Sequence, residues 1–344
     1  MNLRCLGCLG SLWVGALCLV LGATEPQRGI TAATTVAKAY DLILDADFDR
    51  LKAELPATCG PAPRVACLGL EALSLWWQIQ LDPDSRALDA AFAAKAQAAI
   101  AEAERMTAAE PERAEAWFYL GAAYGVRAQG RVLRVERVAA ARDGKRIKES
   151  LERALALDPA MHDAEFGIGM YRYYADVAPA YLRFLRWLFL LPGGDRVDGL
   201  RQLERAATQG ELVRGEAQYQ IHVIYLWYEQ KWREALVLVR GLQARYPRNP
   251  HFRQVEAESL DGYFHDPAAS LKASEQLLAL ARAGAVHRAA LAEVVARLNM
   301  ARQLRALGQH DRAVAELDAI IALAPPAPAG ALARARQLRR ELGK

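Results

Sequence analysis

The chain has 344 residues, of which 53% are hydrophobic and 24% are charged, a balance that excludes most disordered classes and favours a folded soluble protein. Its formal net charge is only +4, which argues against general nucleic-acid binding. Alanine-rich segments with helical periodicity dominate, and alternation of the β-strand type is scarce. We therefore expect an all-α fold.

Residues 1–23 have the composition of a secretory signal peptide. A short first region carries Arg4, an apolar stretch covers 12–21, and the small residue Ala23 precedes polar sequence. This stretch is shorter than the roughly 20 residues that a membrane-spanning helix needs, although an uncleaved anchor is the structural alternative. We expect cleavage near Ala23 and a periplasmic or secreted protein.

The first third of the mature chain reads as a lead followed by long helices. Residues 24–34 are small and polar, which indicates a flexible lead, and 35–344 is expected to form a single helical-repeat domain. Helical spacing over 37–55 indicates an atypical first helix pair. Two further helices are predicted over 68–80 and 85–109.

Cys59 and Cys67 are the only cysteines left after removal of the signal segment. They flank a loop rich in proline and glycine, and an exported chain resides where thiols are oxidised. A disulfide is the favoured interpretation, with free or metal-bound thiols as the alternatives. Metal binding needs more ligands, and none of the six histidines lies near in sequence.

The most informative motif is W-x2-L-G-x2-Y at Trp117, Leu120, Gly121 and Tyr124. These positions lie at i, i+3, i+4 and i+7, so they share one helical face, where the large residues pack inward and the glycine lets another helix approach. The spacing resembles the first helix of a tetratricopeptide repeat (TPR). The resemblance, to an exported bacterial type, implies an α-solenoid of antiparallel helix pairs that binds protein or peptide partners.

Two further copies of the repeat follow. A weaker one runs over 219–247, where the second helix is better preserved than the first. The copy nearest the C-terminus is complete except for its first aromatic residue. Its small, apolar, turn and proline positions are Ala301, Leu304, Gly308, Ala313 and Pro325.

The spacing of prolines indicates two insertions. Pro111 and Pro159 are 48 residues apart, about 14 more than one repeat, which predicts an insertion between two helices near 127–146. A second excess lies near 176–195. Beyond the last repeat, 331–342 is expected to form an arginine-rich helix that caps the array.

The first insertion is strongly basic. Its cations include Arg127, Arg131, Arg134 and Arg142. One interpretation is a solvated helix side whose arginine stems cover apolar surface; the other is a stripe for an anionic partner.

The second insertion is strongly apolar. Only Arg183 and Arg186 are charged in 181–191, so a helix here would be too apolar to be fully solvated and too short to span a bilayer. Burial in the array, a partner surface and an interfacial membrane contact all remain open. The order YRYY, apolar helix, PGGDR-x2-GL also resembles a eukaryotic inclusion-body-clearance family of repeat proteins over 163–250, and this resemblance implies no active site.

Catalytic motifs such as H-E-x-x-H, the nucleophile elbow and the P-loop are absent from the sequence. The polar group formed by His162, Asp163 and Glu165 sits at a turn into a helix, where capping is the favoured role. His222 lies in an apolar run and is expected to be a packed core histidine. We therefore expect no enzymatic activity, no cofactor and no metal site.

The expected function is that of an exported scaffold whose concave face binds a protein or peptide, without nucleic acid. The alternative is a peripheral membrane protein that uses the aromatic helix 181–191 and the basic stripe 127–148; an enzyme of unrecognised type is less favoured. The TPR resemblance also implies groove positions on two first helices. These positions are Glu115, Phe118, Ala122 and Gly125 in one repeat, and Gln220, Ile224, Trp227 and Tyr228 in another.

Overall fold

Helices account for most of the chain. The computed structural model describes residues 29–177, 193–323 and 329–343, and no strand occurs within these ranges. The all-α prediction is therefore confirmed for the part of the chain that the structure describes. The helices are α1 (Ala33–Leu44), α2 (Phe48–Cys59), α3 (Arg64–Gln80), α4 (Asp89–Ala109), α5 (Ala114–Leu133), α6 (Arg137–Leu157), α7 (His162–Val177), α8 (Arg196–Gln209), α9 (Arg214–Trp227), α10 (Trp232–Arg245), α11 (Pro250–Gly262), α12 (Pro267–Arg282), α13 (Ala289–Ala306), α14 (His310–Ala322) and α15 (Ala329–Leu342).

Each of these helices packs against the next one along the chain. The odd-numbered helices α1, α3, α5 and α7 also contact one another in sequence, as do α11, α13 and α15. This is the pattern expected when successive helix pairs stack side by side, because each pair cannot bury its apolar face alone. We call the odd-numbered members, from α1 to α13, the first helices of their pairs.

The glycine of the W-x2-L-G-x2-Y motif marks a close helix approach. A Cβ atom at Gly121 would lie 2.5 Å from the Cγ of Leu151 in α6. Leu120 and Tyr124 are buried on the same side. In the C-terminal copy, Ala301, Leu304 and Ala313 are fully buried. Its turn position, Gly308, has the positive φ of 73° that glycine adopts without strain, and Pro325 lies outside the described residues.

The structure does not show the predicted insertion near 127–146 as a separate segment between two helices. Helix α5 has 20 residues and α6 has 21, whereas α9 and α10 have 14 each. Only 134–136 separates α5 from α6, so the excess residues lengthen both helices and do not form a loop. The glycines in this stretch are accommodated by aromatic rings: Phe92 lies over Gly130, and Tyr171 lies beside Gly144. For the second insertion, 178–192 lies outside the described residues.

The lead is ordered earlier than its composition suggests. The backbone N–H of Gly29 donates to Asp158 at 2.9 Å, and both the N–H and the hydroxyl of Thr31 donate to Glu115 at 2.8 and 2.9 Å. These hydrogen bonds join residues that are 129 and 84 positions apart, and local composition cannot predict such long-range contacts. The flexible lead expected over 24–34 is thus held against the array from residue 29, and the signal segment 1–23 lies outside the described residues.

A disulfide joins Cys59 and Cys67, with their Cα atoms 5.8 Å apart. Cys59 is the last residue of α2 and Cys67 lies in the first turn of α3. The bond therefore fixes the loop between the first two helix pairs, and it fits an oxidising compartment.

The beginning of the chain also packs against its middle. The hydroxyl of Tyr40 in α1 and the indole N–H of Trp77 in α3 both donate to Glu216 in α9, at 3.3 and 3.1 Å. The Trp77 ring contacts those of Tyr219 and Phe252 at centroid distances of 5.5 and 5.7 Å. First helices that are far apart in the sequence thus face one another across a shared core.

Residues in the turn between α10 and α11 add to this contact between the beginning and the middle of the chain. The amide of Asn249, at the start of α11, donates to the carbonyl of Leu44 at 2.7 Å. The hydroxyl of Tyr246 donates to Asp41 at 2.7 Å, and Arg245 donates to the same carboxylate. The first two helix pairs are therefore tied to α9, α10 and α11 by buried rings and by hydrogen bonds.

Candidate partner-binding surface

Three of the eight predicted groove residues do not reach the surface. Glu115, Phe118 and Ile224 are exposed by 0%, 3% and 0%, respectively. Glu115 accepts hydrogen bonds from Thr31 and from the guanidinium of Arg113, while Phe118 and Ile224 belong to the main apolar core. Their assignment to a partner-binding groove is wrong, because the first two helix pairs fold onto this part of the array.

The other five predicted groove residues remain accessible. Ala122, Gly125 and Gln220 are partly exposed, and the exposed fractions of Trp227 and Tyr228 are 62% and 41%. Within the described part of the chain, no atom beyond the α5 backbone and the neighbouring residues lies within 4 Å of where a Gly125 Cβ would stand. We call this set the open half: Ala122 and Gly125 lie near the middle of α5, Gln220 lies in the middle of α9, and Trp227 and Tyr228 lie at the C-terminal end of α9.

Tyr228 is held in place by aromatic neighbours from α7. Its ring meets those of Tyr173 and Tyr174 edge to face, at 5.9 and 5.5 Å. The Tyr173 hydroxyl donates to Glu229 at 2.5 Å, and Arg196 donates to the same carboxylate through two nitrogens at 2.7 and 2.6 Å. Arg196 lowers the pKa of Glu229, so this anchor stays ionised near neutral pH. The ring of Tyr228 is thus positioned before any partner arrives.

Three further aromatic residues, Tyr174, Trp232 and Tyr263, extend this surface and were not predicted as site residues. Trp232, the first residue of α10, is 38% exposed and packs against the ring of Tyr263, with centroids 5.9 Å apart. Tyr174, Tyr228 and Tyr263 follow one another at or near the C-terminal ends of α7, α9 and α11. This recurrence of a tyrosine, once per helix pair, is the sequence signal that would have found Tyr174 and Tyr263.

Three arginines of the proposed basic stripe are engaged within the chain. Arg127 and Arg131 bind Asp143 at 2.7 and 2.6 Å, and this carboxylate is only 2% exposed. Arg134 donates to two backbone carbonyls and to Asp89. Arg142 alone of the four is exposed and makes no hydrogen bond or ion pair in the described structure. The geometry therefore argues against the anionic-partner site, and it also departs from the solvated helix side, because three of the four arginines are bound to acceptors of this chain.

The polar residues considered for chemistry have structural roles. Asp163 accepts from the N–H groups of Glu211, Leu212 and Val213 at 2.7 to 2.9 Å, which satisfies the turn that precedes α9. His222 is 1% exposed, and its Nδ1 lies 2.8 Å from the carbonyl of Ala235. Burial lowers the pKa of this histidine, which keeps the ring neutral.

The described residues contain no cluster of metal-binding side chains. In no place do they bring three histidine, cysteine, aspartate or glutamate side chains together as a metal site. Among the helices found there, none combines the length and the apolar character that crossing a bilayer requires. Comparison with models of known protein families and with curated proteins finds no match for this chain. The geometry of the chain itself therefore carries the functional argument.

Proposed function

We propose that this chain is an exported helical-repeat protein of the TPR type that binds a protein or peptide partner on its open half. The observation that carries the proposal is the exposure of Trp227 and Tyr228 on a first-helix face whose neighbouring positions are buried. Exposed Trp and Tyr side chains that are already held in position are the usual anchors of protein interfaces, because they bury much area at little entropic cost.

The shape of the open half suggests how a partner is seated. The space beside Gly125 on α5 can receive an apolar side chain, and Tyr174 on α7 continues the surface towards Tyr228 on α9. A peptide crossing these three helices would meet a gap at one end and aromatic rings at the other. We infer that the partner segment is short and apolar, with at least two anchoring side chains.

Export is supported by two observations. The first 23 residues have the composition of a signal peptide, and the Cys59–Cys67 bond is of the kind that persists in secreted and periplasmic proteins. We therefore place partner binding outside the cytoplasm.

The alternative of a peripheral membrane protein rested on the aromatic helix 181–191 and the basic stripe 127–148, and the structure weakens the second of these. The aromatic segment 181–191 lies outside the described residues, and Arg127, Arg131 and Arg134 are bound to acceptors of the same chain. Steering by this stripe is therefore weak, and the aromatic surface is the better basis for function.

Site-specific photo-crosslinking in the native envelope tests the proposal. A photoreactive phenylalanine analogue at Tyr228 should give a discrete crosslinked product, whereas the same group at Val237, which is 71% exposed on the second helix α10, should give none. Adding Trp227→Ala should remove the product without changing the melting temperature, since this side chain is mostly exposed. Equal products at Tyr228 and Val237, or a product that survives Trp227→Ala, would overturn the proposed surface.

A further inference from the structure

The turn between α5 and α6 carries an apolar patch that the open half does not include. Val132, Val135 and Val138 are exposed by 66%, 65% and 55%. We call these three residues and the turn that they flank the hairpin tip. Large apolar side chains on soluble surfaces are normal when scattered singly, whereas a group of three within seven residues marks an interaction surface.

The hairpin tip is firmly supported by the preceding helix pair. The Phe92 ring of α4 lies over Gly130, and Arg134 binds Asp89 of α4 at 2.7 Å. Arg134 also donates to the carbonyl of Pro83 in the turn between α3 and α4. The three valines are thus exposed on a turn that its neighbours hold in place.

The backbone at the hairpin tip is strained. Val135 has a φ of 63°, in the left-handed region that β-branched residues avoid. Glycine would relieve this strain and would also remove an apolar side chain from water. The same left-handed position recurs in the corresponding turns of other pairs, at Ala46, Gln230, His265 and Gly308. The conformation therefore belongs to the fold, and only the use of an exposed β-branched residue for it is left unexplained by folding.

Two unpaired cations flank the valines. Arg137 and Arg142 are exposed, and neither guanidinium makes a hydrogen bond or ion pair in the described structure. Glu136, the acid beside Arg137 in sequence, is itself exposed and lies 3.9 Å from Arg131. The exposed surface of the hairpin tip thus combines apolar side chains with free positive charge.

We propose that the hairpin tip docks on a bilayer that contains anionic lipid, with the valines in the interface and Arg137 and Arg142 at the headgroups. A turn that exposes small apolar side chains beside free cations suits the interface of a fluid bilayer, whereas protein hot spots are commonly aromatic or arginine side chains in well-packed pockets. Free cations beside an apolar insertion give the electrostatic attraction that anionic lipid supplies. This site is separate from the open half, and it requires neither 181–191 nor the paired arginines.

Vesicle flotation with the mature chain tests the inference. The probes are vesicles of phosphatidylcholine alone and of phosphatidylcholine mixed with phosphatidylglycerol. The wild type should float with the anionic vesicles, and high salt should weaken the association. The triple variant Val132→Ser, Val135→Gly, Val138→Ser should lose about tenfold or more in partition coefficient, because three apolar side chains no longer leave water.

Matched variants separate docking from stability. Val135→Gly alone should raise the melting temperature and yet weaken flotation, an outcome that unfolding cannot produce. Val237→Ser, which alters an equally exposed valine on α10, should float like the wild type. Trp227→Ala should also float like the wild type. The test of the hairpin tip is therefore independent of the test of the open half. Arg137→Gln with Arg142→Gln should reduce flotation with the anionic vesicles.

Three results would overturn the proposal. The first is a wild type that floats with neither vesicle, which would leave the hairpin tip as a protein-binding surface. The second is flotation unchanged in the triple variant. The third is an equal loss in Val237→Ser.

Discussion

The glycines of the first helices predict a graded series of stabilities. Glycine inside a helix costs about 1 kcal/mol relative to alanine. At Gly125 an added Cβ meets no atom of the described residues within 4 Å, so Gly125→Ala should stabilise the protein by about 0.5 to 1 kcal/mol. At Gly121 the added Cβ stands 2.5 Å from Leu151 Cγ and Cδ2 and 3.4 Å from the carbonyl of Ile147. Overpacking of about 1 to 3 kcal/mol then outweighs the helical gain, for a net loss of about 0 to 2 kcal/mol.

Gly169 should be the most sensitive position of the three. Its added Cβ would lie 2.7 Å from the carbonyl oxygen of Gly199 and 3.1 Å from the backbone nitrogen of Leu203. A backbone cannot rotate away as a leucine side chain can, so α7 and α8 must separate. We expect Gly169→Ala to cost about 2 to 4 kcal/mol, similar to the bulkier Gly121→Leu.

Urea unfolding followed by circular dichroism measures this series, with free energies taken from linear extrapolation. The expected order of stability is Gly125→Ala, wild type, Gly121→Ala and Gly169→Ala. Values for Gly125→Ala and Gly121→Ala that agree within about 0.5 kcal/mol would remove the helix register built on the TPR motif.

Three further outcomes follow from the fold. Replacing both Cys59 and Cys67 by alanine should cost about 2.5 kcal/mol of unfolding free energy from chain entropy alone, and mass spectrometry of the native protein should find no free thiol at either position. The His251 pKa is lowered to about 4 by burial, so its stabilising contribution is complete above its unfolded pKa of about 6.5 and is lost as pH falls towards 4. From pH 7.5 to 5, wild type should therefore lose at most about 2 kcal/mol more than His251→Gln, as measured by urea unfolding at both pH values; equal losses would exclude this histidine as the cause. Asp143→Asn should lower the free energy of unfolding by about 3 kcal/mol or more, because two arginines lose their buried partner. Arg142→Gln should leave it unchanged in the same urea experiments. A larger loss in Arg142→Gln than in Asp143→Asn would indicate that the paired arginines do not stabilise the fold.

The helix pairing was predictable because local spacing encodes it. Trp117, Leu120, Gly121 and Tyr124 predicted the α5 face, and the added Cβ at Gly121 would indeed meet α6. The insertion between α5 and α6 was placed wrongly, since extra residues without a strong helix breaker extend a helix as readily as they form a loop.

The closure of the first-helix face was not predictable from periodicity. It depends on pairs such as Trp77 and Glu216, which are 139 positions apart in sequence. The same limit applies to the basic stripe, where charge counting cannot show that Arg127 and Arg131 share the buried Asp143. Nor does periodicity show which of the implied groove positions stay accessible: Trp227 is 62% exposed, whereas Ile224, one turn earlier on α9, is buried.

The dissociation rate of a crosslink-identified partner tests the central claim most directly. With the partner immobilised, replacing Trp227 and Tyr228 by alanine should speed dissociation by at least about 30-fold, the factor that corresponds to a single anchor of about 2 kcal/mol. The association rate should barely differ between this variant and wild type at any ionic strength, because the variant alters no charge and Arg127, Arg131 and Arg134 are bound within the chain. A dissociation rate indifferent to Trp227 and Tyr228 would contradict partner binding on the open half.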